Sequence, residues 1–262
     1  MNETTDIRSV VREKYGAIAQ GAKVGAGGCC GPECCGGDDT LSQIGYTSEQ
    51  AAAIPDGADL GLGCGNPLQH AAVKPGETVL DLGSGAGIDC FLAARETGPT
   101  GRVIGVDMTP PMIEKARANL AKTELGNVEF RLGEIEHLPV ADSSVDVIIS
   151  NCVVNLSPDK PQVFREALRV LRPGGRLLVS DLVLTRPLTA AMQANVDLYV
   201  GCVAGASLKA DYLGMMREAG FTDVGVVSES SYTIGTAELA NNSPEREAFD
   251  SVVSVKVRAR KA

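Results

Sequence analysis

The sequence predicts an α/β fold in which an open parallel sheet is wound with helices on both faces. Three observations carry that prediction. From Thr78 onward, short apolar runs alternate with helical patterns in a βαβα rhythm that persists to Asp181. The first run, Val79-Leu80-Asp81-Leu82, passes directly into Gly83-Ser84-Gly85-Ala86-Gly87, a glycine loop that feeds the helical pattern Ile88–Arg95. The chain has 262 residues, 44% of them hydrophobic and 22% charged, which suits one large domain with small additions.

Each element follows from local chemistry. Ile7, Val10, Val11, Tyr15 and Ile18 recur at helical spacing, so residues 4–20 read as an amphipathic helix packed on the main domain. The stretch from Gly25 to Gly37 then holds two adjacent thiol pairs, Cys29-Cys30 and Cys34-Cys35. So glycine-rich a loop cannot bury four thiols as core, and both capture of a thiophilic ion and thiol redox chemistry stay open. Thr47-Ser48-Glu49-Gln50 reads as a capping box opening a short helix that Pro55 stops. Asn66 reads as the N-cap of the next helix, with Pro67 at its first position. Cys64, between Gly63 and Gly65, is poorly explained as core.

Strands are expected at 79–82, 103–107, 128–132, 145–150 and 177–181, with helices at 88–97, 111–122 and 159–171. Gly174-Gly175 after Pro173 should close the last of these helices before its strand. Beyond Asp181 the pattern predicts helices at 190–202 and 209–219, and strands at 224–230 and 250–258 that complete the sheet. No internal repeat is visible. The expected division is a helix and Cys-rich segment at 1–66, a cofactor-binding core at 67–185, and a C-terminal region at 186–262.

Charge and composition exclude several partners. With 4% aromatic residues and no Trp, nothing suggests base-stacking platforms. A net charge of −9 argues against binding a nucleic-acid backbone, which rests on clustered Lys and Arg, and also disfavours an anionic membrane surface. Residues 1–6 carry no leader pattern, and no run reaches the ~18 apolar residues of a membrane helix. The expected setting is the cytoplasm, where eight cysteines point to metal binding or redox work rather than a disulfide framework.

Two readings compete for the glycine loop. A dinucleotide fingerprint, counted from Gly83, needs a third glycine at position 88, where this chain has Ile88. The pattern Asp81-x-Gly83-x-Gly85-x-Gly87 instead resembles motif I of the class I S-adenosylmethionine-dependent methyltransferases. That resemblance implies a Rossmann-like, seven-stranded sheet. It also implies a cofactor site built from Asp81, Gly83, Ser84, Gly85 and Gly87. Asp107, ending Val103-Ile104-Gly105-Val106-Asp107, would accept from the ribose hydroxyls, and Met108 would cover the adenine. In Gly133-Glu134-Ile135-Glu136-His137-Leu138-Pro139, Glu134 would accept from the adenine amino group and Ile135 would line the ring. Asn151 is assigned to the same cofactor. Taken singly, Asp107 or Glu134 is an ordinary solvated acid; the set carries the resemblance.

The methyl acceptor is a separate question. The only histidines, His70 and His137, read as surface or packed residues, so no general base stands out. Cysteines do. Ser150-Asn151-Cys152-Val153-Val154-Asn155-Leu156-Ser157-Pro158-Asp159-Lys160, Gly63-Cys64-Gly65-Asn66-Pro67 and Gly201-Cys202-Val203-Ala204-Gly205-Ala206 together resemble the arsenite S-adenosylmethionine methyltransferases. The resemblance implies that Cys64, Cys152 and Cys202 hold As(III), delivered thiol-bound with help from the N-terminal cysteines, to which Cys34 and Cys35 lie nearest. It further implies a thiol reductant, glutathione or thioredoxin. Soft thiolates select such a centre, and its lone pair is the nucleophile, so no base is required. Two other readings stay open: methylation of a small organic acceptor such as a quinone carbon, and a non-catalytic thiophilic metal-binding module. Cys90, one turn into the helix after the glycine loop, reads as core.

Overall fold

The computed structural model describes residues 6–21, 40–232 and 244–262. Cys29, Cys30, Cys34 and Cys35, and the expectations attached to them, lie outside the described residues. Seven strands form one sheet: β1 (Thr78–Leu82), β2 (Arg102–Asp107), β3 (Val128–Leu132), β4 (Val145–Asn151), β5 (Leu171–Leu184), β6 (Thr222–Ser231) and β7 (Val252–Arg260). Their order is β3-β2-β1-β4-β5-β7-β6, with β1 to β5 parallel and β7 antiparallel to both of its neighbours. The chain therefore reverses its direction of winding between β1 and β4. At such a switch point the loops leaving the strands' carboxyl ends part and open a crevice.

The helices are α1 (Ile7–Ala19), α2 (Thr40–Gln43), α3 (Ser48–Ala53), α4 (Leu68–Ala71), α5 (Ile88–Thr97), α6 (Pro110–Leu120), α7 (Lys160–Val170), α8 (Ala190–Gln193), α9 (Val196–Val200), α10 (Lys209–Glu218) and α11 (Pro244–Phe249). The pleat of the strands divides the core in two. Val79, Val147, Ile149 and Leu178 face Phe91 of α5 and Ile113 of α6. Leu80, Leu82, Ile148, Leu177 and Val179 face Phe164 of α7 and Tyr212 of α10. A third apolar cluster, with Val11, Leu156, Leu182, Leu198, Cys64 and Cys202, lies over the carboxyl end of the sheet on the β4–β5 side.

Three local expectations are corrected. Asn66 is not an N-cap: α4 begins one residue later, with Pro67 at the cap and no side-chain capping bond. The Asn66 amide instead donates to Gly45 O and Gln50 Oε1, tying that loop to α3, where the capping box is present as read. Gly174-Gly175 does not close α7, which ends at Val170 with Leu171 already extended. The glycines belong to an excursion of β5, whose pairing with β4 jumps from Leu171 to Arg176. Backbone bonds with Lys261 hold it in place. The helix expected at 190–202 is two short helices, because the Asn195 side chain accepts from Leu198 N and starts α9 afresh.

Candidate active site

A cavity opens at the switch point, walled by the loop after β1, the ends of β2 and β4, and α1. The glycine loop explains its floor. Gly83 has φ +68°, and a Cβ there would sit 2.4 Å from Val153 Cγ2, so only glycine allows this turn against the β4 loop. Gly83 N and Ser84 N both donate to Val106 O, pinning the loop to β2. Ser84 Oγ is buried without a partner, and it lines the cavity. A buried hydroxyl left unpaired costs free energy that a polar ligand can recover. At the end of β2, Asp107 accepts from Gly85 N at 3.0 Å and from Thr109 N at 2.8 Å, which fixes its carboxylate at the cavity wall. Burial raises its carboxyl above the usual range even against those two bonds.

Of the residues assigned to the cofactor, Asp81, Gly83, Ser84, Gly85, Asp107, Met108, Ile135 and Asn151 line the cavity. Gly87 does not; it is packed against Phe91 and Phe130 and opens α5. Glu134 is turned toward α1, where Arg12 reaches it at 3.3 Å. Its neighbour Glu136 lines the cavity instead, buried and accepting from Arg8 at 3.1 Å and Ser157 Oγ at 2.6 Å. Behind the loop, Asp81 accepts from the Cys90 thiol at 3.3 Å, and Cys90 is fully buried, as the core reading has it.

Asn151 connects this cavity to the cysteines. Its amide donates to Gly65 O at 2.6 Å and to Tyr46 Oη at 3.0 Å, while its Oδ1 accepts from Cys64 N at 3.1 Å. Tyr46 in turn donates to Asp89 at 2.7 Å. Burial raises Asp89 to about 6, with the Tyr46 and Asn151 bonds opposing the rise. Gly63 permits the approach: its φ is +116°, and a Cβ there would meet the Asn151 amide at 3.0 Å.

Cys152 and Cys202, far apart in sequence, line one end of the cavity, while Cys64 is buried outside its lining with its sulfur within 4.8 Å of that of Cys152. The neighbouring thiols of Cys202 and Cys64, ahead of burial, push the Cys152 thiol well above the ordinary range. Cys202 Sγ donates to Cys152 O at 3.0 Å, and Cys64 Sγ to Ser180 O at 3.6 Å. Burial is the main cause that raises Cys64. Cys152 and Cys202 have φ of +59° and +64°, a region L-residues with a Cβ occupy at a cost of about 1–3 kcal/mol. Two neighbouring cysteines held this way owe their conformation to the surrounding structure rather than to local preference. Asp181 joins them: its carboxylate and the sulfurs of Cys64 and Cys152 lie within 4.8 Å of one another. Burial raises Asp181 to about 7, against bonds from Leu182 N, Tyr212 and Asn155 and the charge of Lys160.

Sequence reasoning missed Arg8, Val11 and Tyr15 of α1, Tyr46, Asp89, Glu136 and Asp181. The pattern in α1 signalled a packed helix, and nothing in it said that the covered surface is the cavity mouth. Asp181, an acid ending an apolar run just as Asp107 does, did carry a signal. Neither histidine lines the cavity.

The sheet order, the glycine loop with its unpaired hydroxyl and the acid closing β2 define a class I methyltransferase. A methyltransferase-domain family model matches residues 73–220. The arsenite methyltransferase of Halobacterium salinarum is 51% identical over 98% of this chain and 67% of its own length. That of Aquipseudomonas alcaligenes is 44% identical over 68% of this chain and 53% of its own, and the human one 36% over 62% and 45%. The chain belongs to the arsenite methyltransferase family. It spans two thirds of the length of the first of these relatives and about half that of the other two. An arsenic(III) S-adenosylmethionine methyltransferase from Chlamydomonas reinhardtii superposes with a TM-score of 0.68 at 35% identity, over 85% of this chain and 74% of that one. A geranyl diphosphate C-methyltransferase from Streptomyces coelicolor reaches 0.67 at 16% identity, a likeness of fold alone. Among the described residues no helix is long and apolar enough to cross a membrane.

Proposed function

We propose that this chain transfers methyl groups from S-adenosylmethionine to As(III) held by the thiolates of Cys64, Cys152 and Cys202. The observation that supports the reading is that Cys152 and Cys202 line a cavity that also holds the glycine loop, with the Cys64 sulfur within 4.8 Å of that of Cys152. The site fits the cofactor by its own chemistry: Ser84 Oγ lacks a partner, Gly85 leaves open space, and the Asp107 carboxylate is fixed as an acceptor for vicinal hydroxyls. Ile135 and Met108 supply apolar cover for a base. S-adenosylmethionine supplies an electrophilic methyl group on a sulfonium.

Three thiolates neutralise As(III) as a pyramid and leave its lone pair as the nucleophile, so the absence of histidine from the cavity wall costs nothing. The chain's own work is alignment and exclusion of water, and holding two reactants in place contributes on the order of 7 kcal/mol at best. Burial pushes up the Cys64 thiol, and thiol neighbours ahead of burial push up that of Cys152, which disfavours free thiolates, so these two stay protonated until arsenic displaces their protons. Each transfer oxidises arsenic from the trivalent to the pentavalent state. A further turnover therefore needs a two-electron thiol reductant of the glutathione or thioredoxin kind, in a reducing, cytoplasmic setting, with Cys34 and Cys35 delivering thiol-bound As(III). On this reading residues 67–185 serve the cofactor and 186–262 complete the arsenic side.

The test is transfer of labelled methyl from S-adenosylmethionine to As(III) in the presence of thiol, with Cys64→Ser, Cys152→Ser and Cys202→Ser made singly. The expected result is methylated arsenic from the unmutated chain and loss of transfer in each variant. Full activity in all three rules out the trithiolate.

A further inference from the structure

Asp181 has no part in a trithiolate arsenic site, yet its carboxylate shares a 4.8 Å cluster with the Cys64 and Cys152 sulfurs. An As(III) pyramid is complete with three thiolates. Zn2+ instead takes four ligands and accepts thiolate sulfur and carboxylate oxygen in one shell. We propose that Cys64, Cys152 and Asp181 form a Zn2+ site, with the fourth position open to Cys202 or water, and that Zn2+ held there blocks the loading of As(III). The site stands on this geometry; the inhibition rests on the arsenic reading above.

The surroundings of Asp181 are those of a ligating carboxylate. Oδ1 accepts from Asn155 Nδ2 at 2.8 Å and Leu182 N at 2.9 Å, and Oδ2 from Tyr212 Oη at 3.1 Å. Such outer partners fix the direction of the remaining lone pairs, and their loss typically weakens a metal by 10–100-fold, a rough range for any of these contacts. Charge also balances. Two thiolates and a carboxylate around Zn2+ leave one negative charge, and the Lys160 ammonium interacts with both Asp181 and Cys202. Binding releases two thiol protons to solvent, and the Asp181 proton as well where that carboxyl, raised to about 7, is protonated, and it changes no oxidation state. Zn2+ has no lone pair to offer a methyl group, so the loaded state is inert.

The test uses the full chain with Cys29, Cys30, Cys34 and Cys35 changed to Ser, so that only the described thiols report. Co2+ serves as the visible probe of four-coordinate sulfur and oxygen ligation, and Zn2+ is then titrated against it. The expected result is one tight equivalent, weakened at least about tenfold by Asp181→Asn, with three sulfurs on As(III) retained in that variant by X-ray absorption. Cys202→Ser should do the reverse, losing a sulfur from arsenic while keeping Zn2+. Zn2+ should also inhibit methyl transfer competitively against As(III), and a chelator should restore it. Equal Zn2+ affinity in the parent and Asp181→Asn overturns the proposal. If Asp181→Asn fails to fold, X-ray absorption of the Zn2+-loaded parent decides: an all-sulfur shell overturns it, and a mixed shell with oxygen at about 2.0 Å and sulfur at about 2.3 Å upholds it. A Zn2+ site with two-sulfur arsenic leaves the site standing and sinks the trithiolate.

Discussion

Asn151→Ala isolates the joint between the two halves of the site. An amide has two N–H donors and an acceptor oxygen, and Asn151 spends all of them: on Gly65 O, on Tyr46 Oη and on Cys64 N. Each such bond contributes about 1 kcal/mol net, so alanine should cost about 3 kcal/mol. More is possible, because the truncation leaves the buried Cys64 N–H and Gly65 carbonyl unpaired. Urea unfolding reads the total. As(III) titration reads the consequence, since the loop that carries Cys64 loses its acceptor and should present the thiol poorly, weakening arsenic binding. A change in unfolding free energy below about 0.5 kcal/mol would mean that other contacts hold the loop, and the role given to Asn151 would be wrong.

Three further outcomes follow from the geometry. Gly83→Ala should cost about 2–4 kcal/mol in urea unfolding, combining left-handed strain with the Val153 clash, and Val153→Ala in the same chain should recover only part of the clash, since the Val153 Cβ itself would lie 2.7 Å away. Asp89 titrates at about 6 in the folded chain against a reference of 3.8. The folded state therefore holds the proton more tightly, so Asp89 lowers stability as pH rises from about 4 to about 6, and the effect levels off above that. Unfolding free energies measured at pH 4 and pH 7 should fall less in Asp89→Asn, which keeps an acceptor for Tyr46 but cannot titrate. Cys90→Ser should leave arsenic stoichiometry unchanged, as expected of a thiol whose contact is Asp81 behind the glycine loop.

The central strands were legible because they are buried on both faces and so read as apolar runs, as where the expected 145–150 lies within β4; the expected 224–230 lies within β6 although that edge strand is largely exposed. β5 exceeds its expected run at the start because the Pro173-Gly174-Gly175 excursion is held by Lys261, a partner some 90 residues away by rough count, and at the end because residues 182–184 pair with β7. Glycines and Asp107 were legible because the cofactor loop is local in sequence. The proposed arsenic side rests in the sequence only on three separate cysteine motifs. Its surroundings were less so: Asp181 carried only the signal of an acid ending an apolar run, and Tyr46 is one aromatic residue in a short loop. In α1, Arg8 and Arg12 look like a solvated face. They acquire meaning only when the fold sets Glu136 and Glu134 opposite them.

The most direct measurement is arsenic K-edge X-ray absorption of the chain loaded with one equivalent of As(III), with Cys29, Cys30, Cys34 and Cys35 changed to Ser. Three sulfurs in the unmutated site, and two sulfurs with one oxygen in each of Cys64→Ser, Cys152→Ser and Cys202→Ser, is the predicted result. Two sulfurs and an oxygen in the unmutated site, unchanged by Cys202→Ser, would contradict it.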